Sequence, residues 1–77
     1  MSKYAVVYEA PEPGPDGASN WSAYVPDLPG LNAFGNTREE CEALMSTAIP
    51  FHIEGLRRNG DPVPPPSTQV EMLEVAA

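Results

Sequence analysis

Two short stretches near the start of the chain, residues 4–9 and 21–25, are rich in apolar residues, and in the second Trp21, Ala23 and Val25 alternate with Ser22 and Tyr24. Their β-branched and aromatic side chains, with no Gly or Pro, predict two β-strands, and the period of two in the second predicts one covered face. In the first strand Tyr4, Val6 and Tyr8 share one face and Ala5, Val7 and Glu9 the other, and in the second Trp21, Ala23 and Val25 share the face predicted to be covered. A turn sequence at residues 26–30 then leads into a short third strand at residues 31–34.

The first two strands are separated by residues 11–20, which contain three prolines and two glycines. This composition predicts a loop, and a long one for a hairpin. Its role stays open between a recognition tip and a tolerated insertion at the end of a hairpin.

The apolar period changes after Gly35 and predicts one long helix at residues 38–58. Thr37, with Glu40 three residues later, forms a capping box, and Asn59-Gly60 supplies a left-handed stop. Pro50 is expected on the side that faces water, and Phe51 at the edge of the apolar stripe. The predicted stripe consists of Cys41, Leu44, Met45, Ala48, Ile49, His52, Ile53 and Leu56.

Residues 61–67 include four prolines and predict a stiff, extended connector, with a proline-rich ligand as the alternative. Residues 68–75 then alternate imperfectly, which predicts a fourth strand at a sheet edge or at a subunit contact. The predicted fold is α+β: a three-stranded antiparallel sheet, one long helix and a fourth strand (β-β-β-α-β). Residues 1–77 are expected to form a single domain.

Composition adds expectations about partners and location. A chain of 77 residues builds only a small core, so a homo-oligomer, dimer or tetramer, is expected to stabilise it. The net charge of −7 disfavours direct nucleic-acid binding and suits a basic protein partner, although acidity also simply keeps a small domain soluble. The single cysteine excludes an intramolecular disulfide, and the start of the chain carries no secretory or membrane-spanning run, so a cytoplasmic protein is expected.

No residue pattern indicates a catalytic or metal centre. His52 lies within the apolar stripe, where a histidine is more often a hydrogen-bonded core residue than a base, and Cys41 is about three helical turns away. The negative charges at the helix start are interpreted as complements of the helix dipole and not as a general acid–base pair; they belong to Glu39, Glu40 and Glu42. We therefore predict no enzyme activity, no cofactor and no metal site, with a hydrolase that uses His52 and Asp27 as a remote alternative.

Four motifs in order carry a family resemblance: residues 23–30 (Ala-Tyr-Val-Pro-Asp-Leu-Pro-Gly), 35–40 (Gly-Asn-Thr-Arg-Glu-Glu), 51–56 and 60–66. With them the chain closely resembles HicB-like proteins, the antitoxin side of HicA–HicB toxin–antitoxin systems. The resemblance implies a partial RNase H-like fold, assembly into oligomers, and occlusion of a small basic ribonuclease toxin. Because the sequence ends at Ala77, we expect a short form without a C-terminal DNA-binding module.

The leading hypothesis is an antitoxin-like binding module that neutralises a HicA-type mRNA-cleaving toxin by direct contact. The alternative is an orphan, self-assembling structural or regulatory module that binds a small ligand or an unrelated protein. For the partner-binding surface we predict the acidic helix start, the strand edges and the loop around the Pro-Asp-Leu-Pro-Gly turn. The residues predicted to bind a partner are Asp27, Leu28, Glu39, Glu40 and Phe51.

Overall fold

The structure, a computed structural model, describes residues 2–12 and 20–76. Within these ranges the chain forms three strands and then one helix: β1 (Val7–Glu9), β2 (Trp21–Tyr24), β3 (Asn32–Gly35) and α1 (Arg38–Arg58). The strands pair antiparallel in the order β1-β2-β3, and α1 packs against β2 and β3. The predicted α+β class, sheet and helix are confirmed. The predicted loop at residues 11–20 falls mainly on residues 13–19, which lie outside the described residues.

The register of the sheet determines which side chains face the helix. Ala23 of β2 lies opposite Tyr8 on one side and Ala33 on the other, so these three share one face. That face packs into the core beneath α1. Tyr24 and Phe34 alternate with the inward residues and are exposed on the opposite face, because no element of the described residues covers it.

The core consists of a few fully buried side chains surrounded by partly buried ones. The buried residues are Ala23, Val25, Leu28, Ala33, Cys41 and Met45. The partly buried residues packed against them are Tyr4, Val6, Tyr8, Trp21, Leu31, Ile49 and Ile53. The covered face predicted for the second strand is therefore confirmed, because Trp21, Ala23 and Val25 all belong to these two groups.

The helix ends where its sequence predicts. Gly60 adopts a φ of 72°, a left-handed conformation that suits glycine because it has no Cβ. This turn lets the N–H of Gly60 donate to the carbonyl of Arg57 and the N–H of Asp61 donate to that of Leu56. Pro50 is exposed, as predicted. Proline has no N–H to donate to the carbonyl four residues earlier, and on this exposed side of the helix water can bind that carbonyl instead.

The covered stripe of α1 is narrower than predicted, and Leu44 does not belong to it. Cys41 and Met45 are fully buried, whereas 49% of Leu44 is exposed. The reason is geometric, because a helix lying on a sheet of three short strands is covered along one narrow line. The prediction that Leu44 is a core residue is wrong.

Two predicted strands differ from the structure. The first ladder begins at Val7 rather than Tyr4, although residues 4–6 still pack on the core. The predicted fourth strand at residues 68–75 is not present, because residues 61–76 contain no strand. A strand needs a neighbour for its backbone N–H and C=O groups, and this segment pairs with none of the three strands. Residues 61–67, predicted to be an extended connector, form neither helix nor strand.

Candidate partner-binding surface

The acidic start of α1 presents two of the predicted partner-binding residues, Glu39 and Glu40, both exposed. The Thr37 hydroxyl accepts a hydrogen bond from the Glu40 N–H at 3.0 Å, and the Glu40 carboxylate accepts one from the Asn36 N–H at 3.0 Å. The first bond is the predicted Thr37 cap, whereas the second reaches the N–H of Asn36, the residue before the cap, and not that of Thr37 as in a strict capping box. Glu39 takes part in neither bond, so its charge is more available to a partner than the charge of Glu40.

A cation–aromatic contact holds the helix start on the sheet. The guanidinium carbon of Arg38 lies 4.3 Å from the centre of the Tyr8 ring, and Arg38 Nη1 lies 3.2 Å from Glu42 Oε2. Partial burial is the largest cause that raises the pKa of the Tyr8 hydroxyl, and the nearby Glu42 charge raises it further. Arg38 therefore has both an aromatic face and a carboxylate for its charge, while Glu39 beside it remains exposed.

A shallow depression lies beside this helix start. Trp21, Thr37, Arg38 and Glu39 line its volume of about 450 Å³. Trp21 is partly buried against the core, so the depression has a fixed aromatic wall and a carboxylate at its rim. An aromatic surface next to a carboxylate suits a lysine or arginine side chain, whose stem packs on the ring while its charge meets the acid.

Asp27 lies at the opposite end of the sheet, in the turn between β2 and β3, and holds the C-terminal connector. Its carboxylate accepts hydrogen bonds from the N–H and hydroxyl of Ser67, both at 3.1 Å. It also accepts bonds from the Thr68 N–H at 3.0 Å and the Thr68 hydroxyl at 2.9 Å. The bond from the Thr68 backbone is the chief cause that lowers the pKa of Asp27 below its ordinary value. The structure thus gives Asp27 a structural role.

Leu28, the residue after Asp27, is completely buried, with 0% of its surface exposed. Its N–H donates to the carbonyl of Val25 at 3.0 Å, which closes the turn and directs the side chain into the core. Leu28 therefore does not lie on the surface that a partner would meet, although the sequence analysis predicts it there.

Phe51 is 78% exposed and lies on the flank of α1 next to the start of β3. It borders an apolar groove of about 320 Å³, which we call the β3 groove. Its lining residues are Leu31, Ala48, Phe51, His52, Gly55, Leu56 and Asn59. His52 is half-buried in this groove, and no described residue forms a hydrogen bond with its ring. It is a groove residue and not the fully buried core histidine that the sequence suggests.

The predicted partner-binding residues do not form one patch. Glu39 and Glu40 lie where β2 begins, because Trp21 pairs with Gly35 just before the helix. Asp27 and Leu28 lie at the other end of the same strands, and Phe51 borders the β3 groove. The sheet and helix therefore present two separate surfaces, an acidic one at the helix start and an apolar one beside β3.

Two features of these surfaces were missed in the sequence. The first is the contact between Tyr8 and Arg38, which only the pairing of β1 with β2 brings about. The second is the contact of Ser67 and Thr68 with Asp27, which spans 40 and 41 positions and leaves no periodic signal. The ion pair of Arg38 with Glu42 could have been found, because residues four apart on a helix are neighbours.

Within residues 2–12 and 20–76, no three His, Cys, Asp or Glu side chains converge as metal ligands would. In the same part of the chain, no helix combines the length and the apolar character that crossing a bilayer requires.

Comparison with known proteins identifies a family. The family model described as HicB_like antitoxin of bacterial toxin-antitoxin system matches residues 6–76. The match includes all three strands, the helix and the segment that follows it. Comparisons with curated proteins and with solved structures return no match. Since the family model covers nearly the whole chain, the chain belongs to the HicB-like antitoxins of bacterial toxin–antitoxin systems.

Proposed function

We propose that this antitoxin neutralises a HicA-type, mRNA-cleaving toxin by direct protein–protein contact at the start of α1. Family membership supports an antitoxin role and a toxin partner. The observation that carries the choice of surface is the exposed acidic first turn of α1 next to the depression walled by Trp21. Acid and aromatic groups together suit the basic side chains by which a ribonuclease holds RNA.

Charge supports this choice of surface. Glu39, Glu40 and Glu42 fall within four positions, and the neighbouring Arg38 is already paired with Glu42. In a chain of net charge −7, this cluster attracts a basic protein and speeds encounter. Carboxylates carry the same sign of charge as RNA phosphates. A toxin whose basic residues are occupied by these carboxylates cannot use them for RNA.

We further propose that the protein acts by binding and not by catalysis, without a cofactor. The carboxylate of Asp27 is engaged by Ser67 and Thr68, and His52 lines an apolar groove, which gives no support to a pair of catalytic groups. We place this action in the cytoplasm, where mRNA is found, and in a homo-oligomer with a partial RNase H-like arrangement of strands and helix. The negative net charge supports a role without direct nucleic-acid contact.

The test is co-expression with a small basic protein encoded beside this gene. We expect the neighbour alone to stop growth, the pair to restore growth, and the two purified proteins to form a complex that no longer cleaves mRNA. Glu39→Lys should weaken this complex at least about tenfold, because it replaces an attractive charge by a repulsive one.

Asp61→Lys is the matched control, because Asp61 is exposed at the far end of α1 and the change in net charge is the same. Equal weakening by both variants would show that only net charge matters and would contradict the proposed surface. A neighbour that is neither toxic nor bound would contradict the antitoxin proposal itself.

The alternative function, an orphan self-assembling module, is favoured by one observation. Large apolar side chains at residues 70–75 are exposed, as expected of a chain whose main contact is with another copy. A stable assembly of this chain, together with no binding to any small basic neighbour, would favour this alternative over the antitoxin proposal.

A further inference from the structure

The C-terminal segment, residues 69–76, is the part of the fold that lacks a partner. Every residue in it is exposed, and it forms no strand and no hydrogen bond with the rest of the described chain. Four of its eight residues are large and apolar, with exposures of 61% for Val70, 92% for Met72, 77% for Leu73 and 78% for Val75. Soluble proteins rarely leave so many large apolar side chains of one short segment in water unless something covers them.

The root of this segment is fixed. The Tyr4 hydroxyl donates to the carbonyl of Pro64, and the N–H and hydroxyl groups of Ser67 and Thr68 donate to Asp27. Pro64, Pro65 and Pro66 stiffen the chain between these two points. The segment therefore leaves the body at a defined place, the turn between β2 and β3, and projects outward. The radius of gyration, 14.6 Å, exceeds the roughly 11 Å of a compact chain of this length.

A matching acceptor is present on the same molecule. β3 pairs with β2 and with no other described strand, so its second edge has free N–H and C=O groups. The β3 groove lies beside this edge, between Leu31 and the apolar flank of α1 that includes Ala48 and Phe51. An edge with free backbone groups next to an apolar groove has the two features that an added β-strand requires.

We propose that the C-terminal segment of one copy adds as a strand to the free edge of β3 in a second copy. The second copy contributes its own segment to the first, which gives a dimer with two-fold symmetry. The period of two fits this site, because Val70 and Met72 form one apolar row and Leu73 and Val75 form the other. One row enters the β3 groove, and the other lies beside Phe34 on the open face of the sheet.

Length agrees with this arrangement, and charge does not oppose it. An extended segment of eight residues spans about 26 Å, enough to cover the four residues of β3 and continue along the groove. Its charged residues, Glu71 and Glu74, are both acidic. Two of the four basic residues of the chain lie in the last turn of α1, and one of them, Arg58, lies next to Phe51 and Gly55. Arg58 is already paired with Glu54 at 2.8 Å, so the rim of the groove is electrically balanced and does not repel the acidic segment.

The occupant is a second copy because each copy carries both halves of the contact. Within one copy, the segment forms no hydrogen bond with its own sheet and remains exposed. The acidic surface proposed for the toxin lies at the other end of the sheet. Dimerisation and toxin binding therefore use different residues, and each can fail without the other.

Light scattering on the full chain tests the proposal. We expect a mass twice the 8.3 kDa of one chain. Met72→Asp in the segment, or Phe51→Asp in the groove, should each give the monomer mass with an unchanged circular dichroism spectrum, since both side chains are exposed in one copy. Gln69→Asp is the control, because it adds the same charge without removing an apolar group, and it should remain a dimer.

Mixing the two variants distinguishes exchange from other dimers. The Phe51→Asp chain keeps an intact segment and the Met72→Asp chain keeps an intact groove, so the mixture should form a heterodimer through one native contact. The proposal would be overturned by a wild-type chain that is monomeric or by a dimer that survives Met72→Asp or Phe51→Asp. A mixture of the two variants that stays monomeric would also overturn it. Preferential capture of the segment by a different protein, with the wild-type chain monomeric, would overturn it as well.

Discussion

Thr68 donates both its backbone N–H, at 3.0 Å, and its hydroxyl, at 2.9 Å, to the carboxylate of Asp27, which lies 41 positions earlier. Together with the two bonds from Ser67, this contact holds the end of the connector against the turn between β2 and β3. The position of the chain that follows Thr68 depends on one partly buried carboxylate.

Asp27→Asn should release the connector while leaving the sheet folded. The amide replaces one acceptor oxygen by an NH₂ group, which cannot accept bonds from Ser67 and Thr68. Hydrogen exchange at the amides of Ser67 and Thr68 should become faster, while exchange in β2 should remain slow. Asp61→Asn, an exposed carboxylate in the same connector, serves as the control. Unchanged exchange at Thr68 in the Asp27→Asn variant would contradict the structural role of Asp27.

Acid should have the same effect as this substitution. The bonds from Thr68 and Ser67 lower the pKa of Asp27 in the folded protein, so its contribution to stability is complete above its ordinary pKa of about 3.9. The contribution is lost as the pH falls through the lowered folded pKa. The difference in urea stability between the wild type and Asp27→Asn should thus be constant near pH 6 and disappear at the acid end. A difference that persists fully at pH 2 would contradict this linkage.

Met45→Ala should destabilise the protein by about 2–5 kcal/mol, because Met45 is 98% buried in the core and its removal leaves a cavity. Leu44→Ala, at the neighbouring position, should change the free energy of unfolding by less than about 0.5 kcal/mol, since Leu44 is half exposed. Urea unfolding of the two variants measures the difference. Equal losses would mean that the predicted broad stripe, and not the narrow observed one, is correct.

Gly35→Ala should cost about 1–3 kcal/mol, since a Cβ at that position would lie 2.9 Å from the Cβ of Glu40 and push the helix start away from β3. Gly55→Ala is the matched comparison. Its Cβ would meet nothing within 4 Å, and alanine in a helix interior is more stable than glycine by about 0.5–1 kcal/mol. Opposite signs in urea unfolding are expected. A stabilised Gly35→Ala variant would contradict the close approach of β3 and α1.

Local chemistry explains why the helix was the most predictable element. Both of its ends have short-range signals, the Thr37 cap on the Glu40 N–H and the glycine stop at Gly60, and the structure confirms a helix from Arg38 to Arg58 between them. The covered face of β2 was also predictable, because alternation within a strand needs no knowledge of its neighbours, whereas residues 4–8 are all apolar and carry no such signal for β1.

The remaining features depend on contacts between distant residues. The width of the buried stripe on α1 depends on how many strands lie beneath the helix. The apolar period alone cannot show this width, and it wrongly predicts Leu44 in the core. The fourth strand was predicted from its side chains, but a strand exists only where a neighbour supplies backbone bonds. Leu28 was predicted on the surface because it lies in a turn, whereas the turn itself points it inward.

The partly buried indole beside the helix start has a practical consequence. Trp21 is the only tryptophan of the chain, and it lines the depression together with Glu39. A protein that covers this depression changes the water around the indole, and its emission maximum should shift to shorter wavelength. Association at the acidic end could therefore be followed in real time by intrinsic fluorescence, without a label, while events at the β3 groove leave that signal unchanged.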